Sequence, residues 1–273
     1  MLKFIRDPEN RSEDKDFEVR DLEFIANISY ETLEHNLKAA MARTDARWLE
    51  SFEPHDGTAI IAGGGPSLKS DLCFMKFCQA SGDILFAVNN VPAYLSDKGI
   101  TPDCHVLLDS LPGVANMVKP EIPMVRFYSS QCDPSVHDKA PNCILWTPYI
   151  VGLETAFPEL RPPFVGGGTT IGTRALGLAY QLGYRRFRLF GLDCSMDGNE
   201  LHAYEQDHDH EILDVMCGGK NFRSPIQMIA QAEEFVVIIP KLLSEGCELT
   251  VYGNGLLRAV ADEFAAAHEK QMN

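Results

Sequence analysis

The stretch "TAIIAGGGPSLKSD", Thr58–Asp71, decides the fold. A short apolar run of strand type ends in three glycines, a proline and a serine, and a helix-type sequence follows at once. Strand, glycine turn and helix in that order open a parallel α/β unit. The alternation continues: "DILFAVNN", "DCHVLLDS", "PMVRFYSS", "NCILWTP", "RRFRLFGLDCS" and "CELTVYG" read as strands. "SDLCFMKFCQA", capped by Ser70 or Asp71, reads as a helix, as do "VPAYLSDKG", the run after "GGGTTIGT", "PIQMIAQAEEFVVIIPKLLSEG" with a kink expected at Pro240, and "LLRAVADEFAAAHEKQ". From Cys194 to about Ser224 the reading is a long polar segment. Short, continuously apolar strands between helices predict an α/β protein with a doubly wound, mostly parallel, Rossmann-like sheet, helices on both faces.

Upstream, residues Met1 to about Arg20 are charged, and composition predicts loose order there. "NISYETLEHNLKAAMARTDARWLESF" then reads as a helical preface, capped by Ser29, with Leu33, Leu37, Ala40 and Met41 on one face. This divides the chain into an N-terminal segment and helix, 1–50, and a Rossmann-like domain, 51–273. The exposed side of the preface helix offers a surface for oligomerisation.

Net charge is −15 over 273 residues, which argues against a nucleic-acid partner and against adsorption to anionic membranes. No membrane span or signal sequence is read. The eight cysteines form no C-x-x-C pair, and most sit in apolar runs, so they read as small hydrophobes in a reducing, cytoplasmic setting.

In open parallel sheets ligands bind beyond the carboxyl ends of the strands. Four such ends carry unusual residues. At the first, Gly63, Gly64 and Gly65 would let backbone approach a ligand and reach positive φ. Pro66 sets a helix start, and Ser67 offers a hydroxyl beside helix N–H groups that attract anions. At the second, Asn89 and Asn90 can read a base or ribose; Asn90 can equally cap the next helix. At the third, Asp109 stands as a lone carboxylate for a ribose, a metal or a sugar hydroxyl, while His105 reads as a packed strand residue. At the fourth, Gly166, Gly167 and Gly168 run into Thr169, Thr170 and Gly172 at a helix start, a second glycine-rich anion site. Beyond these, Asp193 ends a strand, and His202 and Tyr204 can reach a phosphate or act as acid and base. Lys220 and Arg223 could clamp a diphosphate on a mobile lid, or be surface charge. "DHDH", with His208 and His210, has metal-ligand types but reads first as a solvated loop, so the metal question stays open.

Taken in order, "AIIAGGGPSL", "NNVPAYLSDKGITPDCHVLLD", "GGTTIGTRALGLAYQLGYRRFRLFGLD" and "LHAY" resemble the 6-hydroxymethylpterin pyrophosphokinase MptE-like family. That group includes the motility accessory factor (Maf) proteins of flagellin glycosylation. The chain also looks related to bacterial CMP-sialic-acid-dependent sialyltransferases. The resemblance runs from about Trp48 to Arg258. It implies a nucleotide phosphate or ribose on Gly63–Leu68, a nucleoside by Asn89 or Asn90, and a sugar-phosphate or base around Thr169, Thr170 and Gly172. It puts His202 and Tyr204 on the phosphate side. The chain departs from those relatives in three places. Asp109 stands alone where the pyrophosphokinases carry an acidic pair. Ile171 replaces the serine of the sialyltransferase T-S-G. "CGGKNFRSP" lacks the lid histidine.

The resemblance therefore implies a nucleotide-dependent transferase with a small-molecule nucleotide or nucleotide-sugar donor and an unnamed acceptor. The favoured reading is glycosyl transfer from a CMP-type sugar nucleotide, with a histidine as base. The alternative is pyrophosphoryl transfer from ATP to a pterin-like alcohol, with Asp109 and Asp193 near magnesium; magnesium enters only there. A nucleotide-binding module without catalysis is the third.

Overall fold

The computed structural model describes residues 3–5, 28–44, 46–206 and 211–272. Of the charged leading stretch only residues 3–5 are described, as strand β1 (Lys3–Ile5), and His208 and His210 lie outside the described residues.

Helix α1 (Tyr30–Met41) begins where Ser29 accepts the Thr32 N–H at 3.2 Å, the expected cap, and buries Leu37 and Ala40. Strand β2 (Arg47–Trp48) follows. The central units are β3 (His55–Ala62), α2 (Leu68–Ala80), β4 (Ile84–Val88), α3 (Val91–Asp97), β5 (Cys104–Leu107), β6 (Val125–Ser129), α4 (Pro134–Lys139) and β7 (Ile144–Pro148). Then come α5 (Leu153–Ala156), β8 (Phe164–Val165), α6 (Ile171–Gln181) and β9 (Tyr184–Phe190). A hairpin, β10 (Ile212–Cys217) and β11 (Lys220–Pro225), leads to α7 (Ile226–Ser244), β12 (Glu248–Val251) and α8 (Leu256–Met272).

The large sheet runs β12-β9-β3-β4-β5-β6-β7-β2, with β8 beside β7, and every pairing in it is parallel. Successive strands leave β3 toward β7, whereas β9 and β12 lie on its other side. The strand order thus reverses at β3, and the crevice between the ends of β3 and β9 is the topological switch point. The core on either face is built from wholly buried residues such as Ile60, Leu85, Phe86, Phe187 and Trp146. This is the doubly wound, Rossmann-like sheet with an N-terminal helix that the apolar runs predict.

Four local expectations change. Helix α2 starts at Leu68 with Ser67 as its cap residue, not at Ser70 or Asp71. Pro66 and Ser67 already turn helically, with Lys69 N–H on Pro66 O and Ser70 N–H on Ser67 O, because Leu68 plugs into the core. The segment after Cys194 is not all loop: β10 and β11 pair antiparallel, β10 also pairs β1, and Gly218-Gly219 make the turn, both at positive φ. The segment read as a helical preface is helix only to Met41, and its Arg47–Trp48 pairs with β7 at the edge of the large sheet. Pro240 lies inside α7, which runs on to Ser244. Among the described residues no helix is long and apolar enough to cross a membrane.

Candidate functional site

The first glycine loop is closed by the protein's own atoms. Gly63 N–H donates to Phe190 O at 2.8 Å, Gly65 N–H to Gly191 O at 2.7 Å, and Ser67 N–H to the Asp193 carboxylate at 3.0 Å. None of Gly63, Gly64 and Gly65 has positive φ, so the conformational half of the expectation is corrected. The glycines are needed for room. A Cβ on Gly63 would strike Leu192 and Gly191, one on Gly64 would strike the Tyr204 hydroxyl, and one on Gly65 would strike Asp193 and Gly191. Asp193 is 4% exposed, and burial raises its carboxyl above the usual range against the pull of the Ser67 bond. Its carbonyl accepts from Leu257 N–H at 3.1 Å, and Gly255 packs on it. Asp193 therefore ties the ends of β3 and β9 to the start of α8. It occupies an N–H that an anion at the α2 N-terminus would use. A cavity of about 130 Å³ beside it is lined by Pro66, Asp193, Ser195, Asp197, Phe222 and Asn254.

The end of β4 is different. The β3–β4 register, with Ala62 opposite Ala87, puts Asn89 at the same end of the sheet as the first glycine loop. Asn89 is left-handed, at φ 50°, and its Oδ1 is buried with no hydrogen-bond partner. Asn90 occupies the cap position of α3 but makes no side-chain cap bond, so both amides are uncommitted to the helix. One turn along α3, Tyr94 packs against Tyr204 with ring centroids 5.6 Å apart, and His202 lies 5.8 Å from Tyr204. Ala203 N–H donates to Gly64 O at 2.8 Å, which docks the "HAY" run onto the glycine loop. Burial pushes the Tyr204 hydroxyl up to about 12, so it keeps its proton. Gly64, Tyr94 and His202 thus all gather around Tyr204, and Asn89 stands just ahead of the helix that carries Tyr94. His105 is a satisfied buried residue, as its place in an apolar strand suggests.

The second glycine loop does need backbone freedom: Gly167 and Gly168 have φ of 116° and 85°. The Thr169 N–H points at both oxygens of Glu234 on α7, at 3.0 and 2.9 Å. Thr170 and Thr173 pair through their hydroxyls at 3.2 Å. Gly172 is hemmed in by Leu192 and Gln231, and Leu192 also crowds Gly63, so one side chain joins the two loops. Arg174 is buried, with bonds to Val165 O and Tyr149 O. Burial lowers its guanidinium to about 10, and the nearby Glu234 charge opposes this.

Leu192, Tyr94, Gln231, Glu234 and Arg174 were not singled out by sequence. A partial signal was present for two of them: Gln231 and Glu234 are, with Gln227 and Glu233, the polar residues in the first half of a mostly apolar helix.

Asp109 folds back on its own loop, accepting Leu111 N–H at 3.1 Å. It follows β5, three strand spacings from β9, so about 14 Å separates it from the level of Asp193. One magnesium ion bridging both carboxylates does not suit that arrangement. Lys220 and Arg223 are both exposed on β11, and their odd separation turns them to opposite faces of the strand. Among the described residues no group of three or more His, Cys, Asp or Glu is placed to hold a metal.

Residues 31–199, more than half of the chain, match the family described as 6-hydroxymethylpterin diphosphokinase MptE-like. No curated protein matches. Among solved structures, the fold is similar to that of the Maf glycosyltransferase from Magnetospirillum magneticum AMB-1, with a TM-score of 0.63 at 19% identity. The likeness covers 77% of this chain and 34% of that one, so this chain spans about a third of that protein's length. At that identity the likeness is one of fold. The switch-point crevice, the two glycine loops and the matched region coincide, and the chain belongs to the MptE-like family, with the nucleotide-binding, transferase-type fold of that superfamily.

Proposed function

We propose that this protein is a nucleotide-dependent transferase that moves a glycosyl group from a CMP-type sugar nucleotide to an acceptor hydroxyl. The observation that carries the reading is the amide oxygen of Asn89, buried without a partner at the strand end beside the first glycine loop. An unpartnered buried amide suits a base or ribose with matching donors. In this reading Asn89 and Asn90 face the nucleoside, and the Gly63–Ser67 turn borders the phosphate. Thr169, Thr170 and Gly172 border the sugar-phosphate.

The acceptor oxygen attacks the anomeric carbon, the bond from that carbon to the phosphate oxygen breaks, and CMP leaves with the electron pair. His202 takes the acceptor proton. The Tyr204 O–H, protonated at any ordinary pH, donates to the departing phosphate.

The family's description as a 6-hydroxymethylpterin diphosphokinase supports a second reading, diphosphoryl transfer to a pterin-like alcohol, for which ATP and magnesium would be the donor and the metal. The separation of Asp109 from Asp193 weighs against it.

A thermal-shift panel with CMP, CDP, UDP, GDP, ADP and ATP, with and without magnesium, separates the readings. A cytidine-selective, metal-independent rise is the expected result. A rise with ATP that requires magnesium would replace glycosyl transfer with diphosphoryl transfer. Binding without turnover of any donor would leave a binding module. His202→Ala should keep nucleotide binding and lose transfer; unchanged turnover would remove His202 from its role as base.

A further inference from the structure

Behind Asn89 lies a buried chain of two hydrogen bonds that the proposed chemistry does not use. His105 on β5 and Tyr128 on β6 are both 0% exposed. His105 Nε2 is 2.9 Å from the carbonyl oxygen of Asn89, and His105 Nδ1 is 3.0 Å from the Tyr128 hydroxyl. A carbonyl only accepts, so Nε2 carries a proton. Burial lowers the imidazole to about 4, so the ring is neutral and Nδ1 is bare. Tyr128 must then donate to Nδ1, which fixes the direction of the chain: Tyr128 O–H to His105, His105 N–H to Asn89 C=O. The two rings meet edge to face at 88°, which holds the imidazole in place.

The receiving residue is in a conformation that needs holding. Asn89 is one of two described non-glycine residues with positive φ. Its own N–H reaches Val106 O at 3.3 Å, and its side-chain oxygen is unpartnered.

We propose that His105 and Tyr128 are positioning residues for nucleoside recognition: their bond chain pins the Asn89 carbonyl and so sets where the Asn89 amide points. This rests on the reading above that the Asn89 amide meets the nucleoside. Neither residue touches ligand. The chain acts on the nucleoside end of the ligand and leaves the phosphate end alone.

The test titrates CMP, ATP and inorganic pyrophosphate into the full-length protein by calorimetry, for wild type and four variants. The nucleotide that wild type binds more tightly is the probe. Tyr128→Phe keeps the ring packing and removes the donor; His105→Leu removes the chain; His105→Gln restores an N–H toward Asn89 O. Losing one buried neutral hydrogen bond should weaken the nucleotide about fivefold in Tyr128→Phe and more in His105→Leu. His105→Gln should return to within about twofold of wild type, and pyrophosphate affinity should be the same in all of them. Folded His105→Leu with wild-type nucleotide affinity would overturn the proposal. So would His105→Gln as weak as His105→Leu, or a parallel loss of pyrophosphate binding, since either would mean mere packing. If His105→Leu does not fold, Tyr128→Phe decides alone.

Asn89→Ala separates the two readings. Weakened nucleotide binding in Asn89→Ala with none in the chain variants would sink only the positioning role. Full binding in Asn89→Ala, or none in wild type, would sink the nucleoside reading and the positioning role with it.

Discussion

The two glycine-rich loops look alike in sequence, "GGGPS" and "GGGTT", and differ in what makes glycine necessary: room alone in the first, positive φ in the second, where Gly167 is also hemmed in by Thr173 O. In the first, the glycines have ordinary φ and are small because Leu192, Tyr204 and Asp193 crowd in. In the second, Gly167 and Gly168 adopt φ that L side chains avoid. Each loop directs an N–H at a carboxylate of the protein itself. Asp193, on Ser67, is buried and tied down on three sides, whereas Glu234, on Thr169, is half-buried beside an exposed residue. The first loop is a clasp that holds the switch point together. The second is a seat whose occupant can leave. Glycine content alone does not distinguish a phosphate cradle from a close-packed turn.

Substitution by alanine and asparagine would break or sharpen this contrast. Gly65→Ala puts a methyl against Asp193 and, at 2.8 Å, against Gly191 O, and should cost about 3 kcal/mol as overpacking. Gly65→Asn should cost more, because the obstacle is volume. At Gly168 the obstacle is φ, and the nearest contacts are side-chain atoms of Glu234 and Thr173. Gly168→Ala should cost about 1 kcal/mol, and Gly168→Asn less, since asparagine tolerates the left-handed region. Denaturant unfolding of the four variants gives the order directly. If asparagine is milder than alanine at both positions, the distinction drawn between the loops is wrong.

Helix α7 repeats the contrast in adjacent residues. Glu234 is bound to loop amide, whereas Glu233 is 6% exposed with Oε2 unpartnered, and burial pushes its carboxyl up to about 7. The folded chain thus holds a proton that the unfolded chain releases near pH 4.5. Stability should fall as pH rises from about 4.5 to 7 and be level above that. The loss amounts to at most about 3 kcal/mol. Glu233→Gln should remove that slope and raise the melting temperature at pH 8 by about 5 °C. His105 acts oppositely, because its pKa is depressed. Its contribution is complete above about pH 6.5 and is lost as pH falls through 4. A melting-temperature series from pH 4 to 8 on wild type and Glu233→Gln checks the sign. A variant with the wild-type slope would show that Glu233 is ionised in the fold.

What the sequence made legible follows from distance along the chain. The central parallel strands, β3 to β7, were legible because each ends in a short apolar run buried on both faces; the two-residue edge strands β2 and β8 are too short to carry such a signal. The starts of α1 and α6 were legible from local serine, threonine and glycine chemistry. The β10–β11 hairpin was hidden by polar residues such as Asp214, Asn221 and Arg223, although Gly218-Gly219 is the two-residue turn signal. The contacts that give the two loops their characters were not legible at all. Ser67 and Asp193 are 126 residues apart, and Thr169 and Glu234 are 65 apart. No local propensity encodes such pairs. The same holds for Asn89, whose left-handed turn depends on a histidine one strand away and a tyrosine two strands away.

The smallest expected effect bears most directly on the second loop. If Glu234 holds the seat that a ligand's phosphate would take, its charge opposes anion entry even while its oxygens satisfy Thr169. Glu234→Gln keeps a carbonyl oxygen for the Thr169 N–H and removes the charge. Stability should change by no more than about 0.5 kcal/mol, as for an accessible polar exchange. Affinity for inorganic pyrophosphate should rise about two- to fivefold at low salt, because one repelling charge has gone from a partly solvated site. The gain should shrink at 0.5 M salt, where screening shortens the reach of the carboxylate. The equivalent change at the clasp behaves differently. Asp193→Asn also removes a charge, but its carboxyl is enclosed by Gly65, Gly253 and Gly255, so pyrophosphate affinity should stay as in wild type. Titrations of both variants at two salt concentrations decide the matter. Equal gains at the two positions would make both loops seats. No gain at Glu234 would mean that anions do not compete with it, and that the second loop, like the first, is closed.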